Sequence, residues 1–580
     1  MIFGLNMNDM RDNETTVATL FIKADAKGEI LVCEEGLSFW GGVDPDTAKI
    51  VDAHHPNYGE FVSGKIVMMS SSRGSCSGSG VLLQLALKGL APAALIFWEP
   101  ESILTLGAII SDRLFDCPIP IIRLERRLYK DLSVAKEAEI KNLTLVYFQK
   151  RVPLSLPKTD KLKLTKNDIQ MLVGDKGPAK KLAMEVISLM ATIQDAEELL
   201  DVKRAHIDGC ILAHNANLYF AEKMYEMGAK TCIPTTINAI SVDRKNWRLQ
   251  GHAIEFGLKA SRLADAYVKM GAQPTFTCAP YLLDDSPKRD EVIGWSESNA
   301  VVFANSVLGA WTEKHPDYFD LFIACTGRAP KSGVYLSENR VAVCKINVIL
   351  PKKFDESIWP MLGWLAGARS PNGIPILTGL ESTQPSLDDL KAFSAAFGTT
   401  SSAPMFYLNG QLSEGTPTSS RYLYQFEIDG KDLKTLWENF NCRSNQIDLV
   451  AIGSPHSSSS ECENFADLLD GRKCKNQTKT IITVGRETLN LITENGVLQK
   501  LKKSGVEVIP DICWCSITKP IFPVEAKVVL TNSGKYAHYG RSLTNSNIRF
   551  GGLKECAVAA LTGCVASEIP NWLVCDERDM

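Results

Sequence analysis

The stretch Ile66-Val67-Met68-Met69-Ser70-Ser71-Ser72-Arg73-Gly74-Ser75-Cys76-Ser77-Gly78-Ser79-Gly80, running on into the apolar segment Val81–Leu87, decides how the first part of this chain folds. The four apolar residues read as a buried strand and Val81–Leu87 as a helix, which makes the small residues between them a strand-to-helix loop. Backbone N–H groups at such a helix N-terminus can hold an anion or stabilise a serine as its alkoxide. Only small side chains let a ligand come this close to the backbone. A plain surface loop has the same composition, so the choice between the two turns on the rest of the chain.

Outward from this loop, the apolar runs Ala18–Ile22, Ile30–Cys33, Ala94–Phe97, Ile119–Ile122 and Leu143–Phe148 read as strands, with helices over 81–89 and 101–115. They complete a β/α unit over residues 1–149. Residues 150–163, rich in Lys and carrying Pro153 and Pro157, read as a linker. A second domain spans 164–580. Thr165-x-x-Asp168 signals its first helix, and Pro178 suits the first turn of the next. Strand-like runs then alternate with amphipathic segments. The strands are Ile207–Leu212, Cys232–Ile237, Thr275–Cys278, Val341–Leu350, Leu449–Gly453, Thr480–Val484, Val506–Ile509 and Lys527–Leu530; the helices include Leu218–Met227, Ala260–Met270 and Leu489–Lys503. The alternation predicts the α/β class with largely parallel sheets, whose ligands bind beyond the carboxyl ends of strands.

Composition excludes several functions. The 580 residues are 45% hydrophobic and 22% charged with net charge −4, an ordinary globular balance without the basic footprint of nucleic-acid binding. No apolar run reaches the roughly 18–20 residues that span a bilayer. The first twenty residues set Asp9, Asp12 and Glu14 against Arg11 alone, unlike a signal or transit peptide, so a cytoplasmic location without membrane partner is expected. The 16 cysteines contain no C-x-x-C pair, which speaks against zinc and for reduced thiols. Nothing sets an oligomeric state; a monomer is compatible with the sequence.

Three loops could carry soft-metal chemistry: Thr277-Cys278-Ala279-Pro280-Tyr281, Ile509-Pro510-Asp511-Ile512-Cys513-Trp514-Cys515, and Gly453-Ser454-Pro455-His456. Each alone reads as structure, because free cysteines are commonly core residues and a lone histidine is commonly a hydrogen-bonded support. Together they make a metal or iron–sulfur site a reasonable expectation. The loops Ile207–Ile211 and Pro234–Asn238 offer donors to a small hydroxy or carboxylic acid. Ser298 opens a helix, where capping is the plain reading. Leu530–Lys535 ends a strand with Ser533 and Lys535 but lacks P-loop spacing, so nucleotide binding is not expected.

These pieces resemble the aconitase X family. Leu37-Ser38-Phe39-Trp40-Gly41-Gly42-Val43-Asp44-Pro45, His54-His55-Pro56, Arg73-Gly74-Ser75-Cys76-Ser77-Gly78-Ser79 and Ala91-Pro92-Ala93-Ala94 look like its swivelling domain. Thr277–Tyr281, Glu297–Ser306 and Asp511-Ile512-Cys513 look like its catalytic part. The resemblance implies an N-terminal β/α swivel domain followed by a large multi-layer α/β catalytic domain, with the linker as hinge. It implies an iron–sulfur-dependent hydro-lyase acting on a small hydroxy or amino acid. The fused arrangement favours cis-3-hydroxy-L-proline, giving 1-pyrroline-2-carboxylate. Mevalonate 5-phosphate is the alternative substrate, and an inactive binding homologue the remote one. Carried over by motif, Ser75 is the catalytic base with Arg73 beside it, and Cys278 and Cys513 are cluster ligands. Gly209, Cys210, Ile211, Asn238 and Ser298, with Ser533 and Lys535, are substrate-binding positions. The family's archaeal pattern places a cysteine where this chain has Ser454. The third ligand is therefore Ser454 or Cys515 (or a distant cysteine such as Cys325), and the cluster is of 2Fe-2S or 4Fe-4S type.

Overall fold

The computed structural model describes residues 18–53, 55–73, 75–411, 422–566 and 569–573. The N-terminal residues 1–17, together with His54 and Gly74 of the expected motifs, lie outside the described residues. The chain divides into two compact units: residues 1–73, 78–163 and 188–197 form the smaller, and 74–77, 164–187 and 198–580 the larger.

Among its described residues the smaller unit is built on one eight-stranded sheet. Strand Ile66–Met68 lies inside it, parallel to Ala26–Val32 on one side and to Ala94–Phe97 on the other, with Ile66 paired to both Ile30 and Ala94. The loop quoted above therefore leaves the carboxyl end of a central parallel strand and enters helix Gly78–Leu87. Residues Gly78–Ala86 of that helix are all buried, as expected of a segment apolar on every side. It packs on helix Ile103–Phe115 at close range: a Cβ on Gly107 would lie 2.6 Å from the Ser79 carbonyl oxygen, so only glycine fits. The expected linker is only partly irregular. Lys150–Pro153 is an antiparallel edge strand on Thr144–Tyr147. Its charged side chains hid it, because pairing there is made by the backbone; Pro153, without an N–H, stands at its end.

Among its described residues the larger unit carries three all-parallel sheets and one antiparallel strand pair. Two of the parallel sheets matter for function. In the first, Arg204–Ile207 runs between Thr235–Ile237 and Ile293–Trp295. In the second, Leu449–Ser457 and Lys479–Val484 lie centrally, flanked by Glu507–Pro510, Val528–Thr531 and Asn547–Phe550. Asp208, Asn238 and Glu297 follow the first set of strands; Asp511, Cys513, Ser533 and Lys535 follow the second. The candidate residues thus gather beyond carboxyl ends, where an open α/β sheet leaves a crevice.

The expected capping box at Thr165 is present, Thr165 and Asp168 bonding each other's backbone N–H, and Pro178 opens helix Pro178–Ile193. Three expected elements differ. The strand at Ile207 stops there, leaving 208–212 as loop. Thr275–Cys278 is not a strand, because Phe276 takes φ +43° and turns the chain. The helix expected over Leu489–Lys503 is two, Arg486–Glu494 and Val497–Ser504, parted at Gly496 with φ +79°.

Candidate functional site

The two expected cysteine ligands meet although 235 residues separate them: Cys278 Sγ lies 3.4 Å from Cys513 Sγ. Both are buried with Ala239, and the partly buried Cys515 packs against them. The third loop joins through the backbone, His456 N–H donating to Cys278 Sγ at 3.3 Å. The His456 ring is held between the Ile512 carbonyl (2.8 Å) and the Thr277 hydroxyl (3.3 Å), and burial pushes its pKa down to about 4. It is a neutral support that ties the loops together. Gly453 lets strand Leu449–Ser457 shift register here: its φ is +105°, and a Cβ would lie 2.3 Å from the Thr483 carbonyl oxygen.

The Cys513 loop is fixed from beneath. Asp511, fully buried at φ +73°, accepts from Arg486 at 2.5 Å and from the Arg244 N–H at 3.1 Å. Both guanidinium groups also lie over the Phe276 ring, at 5.6 and 5.5 Å. Burial raises the Asp511 carboxyl to about 6, against the lowering effect of Arg486.

Whether these residues suit an iron–sulfur group rests on their donor chemistry. Ser454 Oγ is buried without a hydrogen-bond partner, while its carbonyl accepts from the Ser533 hydroxyl. Among the described residues, no three His, Cys, Asp or Glu side chains are arranged to hold a metal ion. The set present is two touching cysteine sulfurs, a third sulfur packed beside them, and one orphaned hydroxyl. Soft donors in a desolvated pocket fit a thiolate-held cluster.

The serine loop belongs to the larger unit. Ser75 Oγ accepts the Ser77 N–H at 3.3 Å, and the Cys76 carbonyl accepts the Asp317 N–H at 3.3 Å. From Asp317 a polar chain runs toward the cysteines. The Ser77 hydroxyl and the Asp208 carboxyl both bear on Asp317. Asn238 Nδ2 donates to Asp208 and, at 3.0 Å, to Glu297. Glu297 accepts Lys535 Nζ at 2.8 Å. Burial alone would raise Glu297, but the Lys535 charge and the hydrogen bonds of Lys535, Asn299 and Asn238 outweigh it and hold the carboxyl at about 2. Burial, then the charges of Asp317, Glu297 and Asp320, push Asp208 well up. Burial raises Asp317 to about 6 and Asp320 to about 7.

Of the expected substrate positions, Asn238 and Lys535 stand in this chain. Gly209 lies close under the Tyr318 ring, where a Cβ would come within 3.2 Å, and Cys210 is buried with its thiol on the Ile207 carbonyl at 3.3 Å. Ile211 is half-buried in the same loop, and Ser298 begins helix Ser298–Phe303. Two of the expected residues already have partners. The Arg73 guanidinium is taken up by Glu35 (3.0 Å) and Asp52 (3.3 Å) in the smaller unit, so its charge is already matched. The Ser533 hydroxyl gives its proton to Ser454 and caps helix Gly534–Thr544 through Tyr536 N–H, which makes it a support for the Ser454 loop. Cys325 is buried in helix Phe319–Thr326, and its thiol is raised by burial to about 12. A cleft of about 750 Å³ lined by Glu356, Asp388, Asp389, Glu461 and others contains none of the expected residues.

The sequence reading missed Asp208, Asp317, Asp320 and Glu297. Asp208 and Glu297 stood inside quoted motifs at strand ends, and that position was the available signal. Asp317 and Asp320 reach the site only by packing.

Comparison with known proteins covers nearly the whole chain. The aconitase X swivel domain matches residues 15–146, and the first, second and third aconitase X domains match 161–338, 341–438 and 447–562. A cis-3-hydroxy-L-proline dehydratase of Pseudomonas aeruginosa is 41% identical over 97% of this chain and 99% of its own; one of Hypocrea jecorina is 40% identical over 96% of each. The phosphomevalonate dehydratase large subunit of Methanocaldococcus jannaschii is 30% identical over 68% of this chain and 98% of its own. The holo-form structure of Thermococcus kodakaraensis aconitase X, 30% identical, superposes with a TM-score of 0.63 over 69% of this chain and 100% of that one. With a swivel domain and all three catalytic-part domains matched in order, this chain belongs to the aconitase X family.

Proposed function

We propose that the protein is a hydro-lyase that removes water from cis-3-hydroxy-L-proline to give 1-pyrroline-2-carboxylate. The observation that carries this reading is identity of 40–41% along both units to two cis-3-hydroxy-L-proline dehydratases. The phosphomevalonate dehydratase large subunit, by contrast, matches 68% of the chain at 30%.

Ser75 is the base for the proton on the carbon that bears the carboxylate. An unassisted serine is far too weak for this at neutral pH, so its alkoxide needs donors aimed at it. The Ser77 N–H supplies one. The Arg73 charge is matched elsewhere, which leaves backbone dipoles as the main help. Lys535 and Asn238 are the side chains for the substrate's carboxylate and hydroxyl oxygens, and Glu297 keeps Lys535 charged and in place. An iron–sulfur cluster held by Cys278, Cys513 and one of Ser454 or Cys515, when bound, supplies a Lewis acid for the departing 3-hydroxyl. The carbon–hydrogen and carbon–oxygen bonds break, a double bond forms between those carbons, and the enamine product tautomerises to the pyrroline while water leaves.

The fifteen described cysteines form no disulfide, which supports a reducing, cytoplasmic setting. No helix among the described residues is long and apolar enough to cross a membrane. Incubating the anaerobically purified protein with cis-3-hydroxy-L-proline and with mevalonate 5-phosphate in parallel tests the reading. Consumption of the first alone is expected, and consumption of only the second overturns it.

A further inference from the structure

We propose that Asp317 and Asp208 are specificity-determining residues that seat the ring nitrogen of the substrate, as a secondary ammonium, beside Ser75. This rests on the dehydratase reading and names the chemical class it selects: cyclic amino acids rather than phosphorylated hydroxy acids.

The four carboxylates here are not equivalent. Glu297 is matched by Lys535 at 2.8 Å. Asp320 is fully buried and spends its oxygens on the Asp208 N–H and the Leu321 N–H, both at 2.7 Å. Asp208 accepts from Asn238 through Oδ1, and its carboxyl is also hydrogen-bonded to Asp317. Asp317 is 4% exposed, and its Oδ1 has no hydrogen-bond partner. A carboxylate offers about four acceptor sites, so the orphaned Oδ1 leaves Asp317 acceptor capacity even with Ser77 and Asp208 bonded to it. Burial leaves such atoms costly unless something donates to them.

A secondary ammonium fits that demand. It brings a positive charge and two N–H donors, one for each carboxylate. The Asp317 N–H on the Cys76 carbonyl, and Ser77 beside the Asp317 carboxyl, fix this pair one residue from the proposed base. The carbon that loses its proton is bonded to the ring nitrogen, so base and ammonium seat must be neighbours. The field matters too. Burial holds Asp208 well up and Asp317 at about 6, so the pair keeps a proton until a cation arrives; a bound ammonium favours its charged form and offsets that charge beside an alkoxide at Ser75. A phosphate dianion placed there meets the same carboxylates without compensation, which rejects it.

The test is equilibrium binding by calorimetry of L-proline and (S)-oxolane-2-carboxylate, the same ring with oxygen in place of NH2⁺. The wild type should prefer L-proline by about 30-fold or more, as a charge-assisted pair of hydrogen bonds allows. In Asp317→Asn the preference should fall to within about threefold, with oxolane affinity retained; Asp208→Asn should do the same if the first variant fails to fold. Equal binding of the two ligands by the wild type, undetectable binding of both, or a variant that weakens both alike overturns the proposal. Turnover of cis-3-hydroxy-L-proline without any binding preference overturns the role of the pair alone. Absence of turnover overturns the dehydratase reading.

Discussion

Lys535→Met is the perturbation whose size follows most directly from the site. Its ammonium sits 2.8 Å from Glu297, and the two side chains are 9% and 12% exposed, so water screens them little. Glu297 is held at about 2 against an ordinary 4.5. A displacement of that size corresponds to about 3 kcal/mol. Replacing the cation by an isosteric apolar chain leaves a carboxylate whose burial now raises its pKa, and breaking a buried pair from one side costs about 3–5 kcal/mol. The sign with pH follows. In the wild type Glu297 has a depressed pKa, so its stabilisation is present above 4.5 and lost as pH falls through about 2. In the variant its pKa is raised, so stability is full below 4.5 and lost as pH rises. Urea unfolding at pH 4 and pH 7 should therefore show a gap between the two proteins that widens with pH, and Lys535→Met with Glu297→Gln should close most of it. A gap of the same size at both pH values, or one under about 1 kcal/mol at pH 7, refutes the reasoning.

Other consequences can be checked singly. Ser75→Ala should lower kcat by at least about a thousandfold while visible absorption and iron content stay unchanged; retained activity removes Ser75 as base. Cys278→Ser and Cys513→Ser should each bleach the visible absorption of anaerobically purified protein. Ser454→Ala and Cys515→Ala then divide the third position: iron loss in the first alone assigns the hydroxyl, and iron loss in the second alone assigns the thiol. Asp320, raised by burial to about 7 from 3.8, contributes stability that is full below 3.8 and lost as pH rises through about 7, at most about 4 kcal/mol. Asp320→Asn should flatten the fall of the urea midpoint between pH 5 and pH 8, and an unchanged slope would contradict the assignment.

The parts of the site that lie at strand ends were legible in the sequence. An apolar run followed by small or polar residues marks a carboxyl end, which is how the Ser75 and Cys513 loops could be named without coordinates; the same signal pointed to Cys278 and Ser454, although Thr275–Cys278 is not a strand and Ser454 lies inside strand Leu449–Ser457. Which of them meet was not legible from spacing, since Cys278 and Cys513 touch across 235 residues of chain. Charge matching was hidden for the same reason. Arg73 reads as a cation beside a serine, with no sign that Glu35 and Asp52 hold it, and nothing near Ser533 tells that its hydroxyl rests on Ser454. Asp317 carries no local signal at all. Its burial comes from tertiary packing, which no window of sequence contains. The strand Lys150–Pro153 was missed because an edge strand needs backbone partners and not apolar side chains.

Proton NMR of cis-3-hydroxy-L-proline incubated anaerobically with the wild-type protein in deuterated buffer tests the central claim most directly. The account predicts loss of the Cα and C3 proton signals together, with signals of 1-pyrroline-2-carboxylate rising in equal amount, and no change with Ser75→Ala. An unchanged spectrum from protein that holds its iron and sulfide would contradict it.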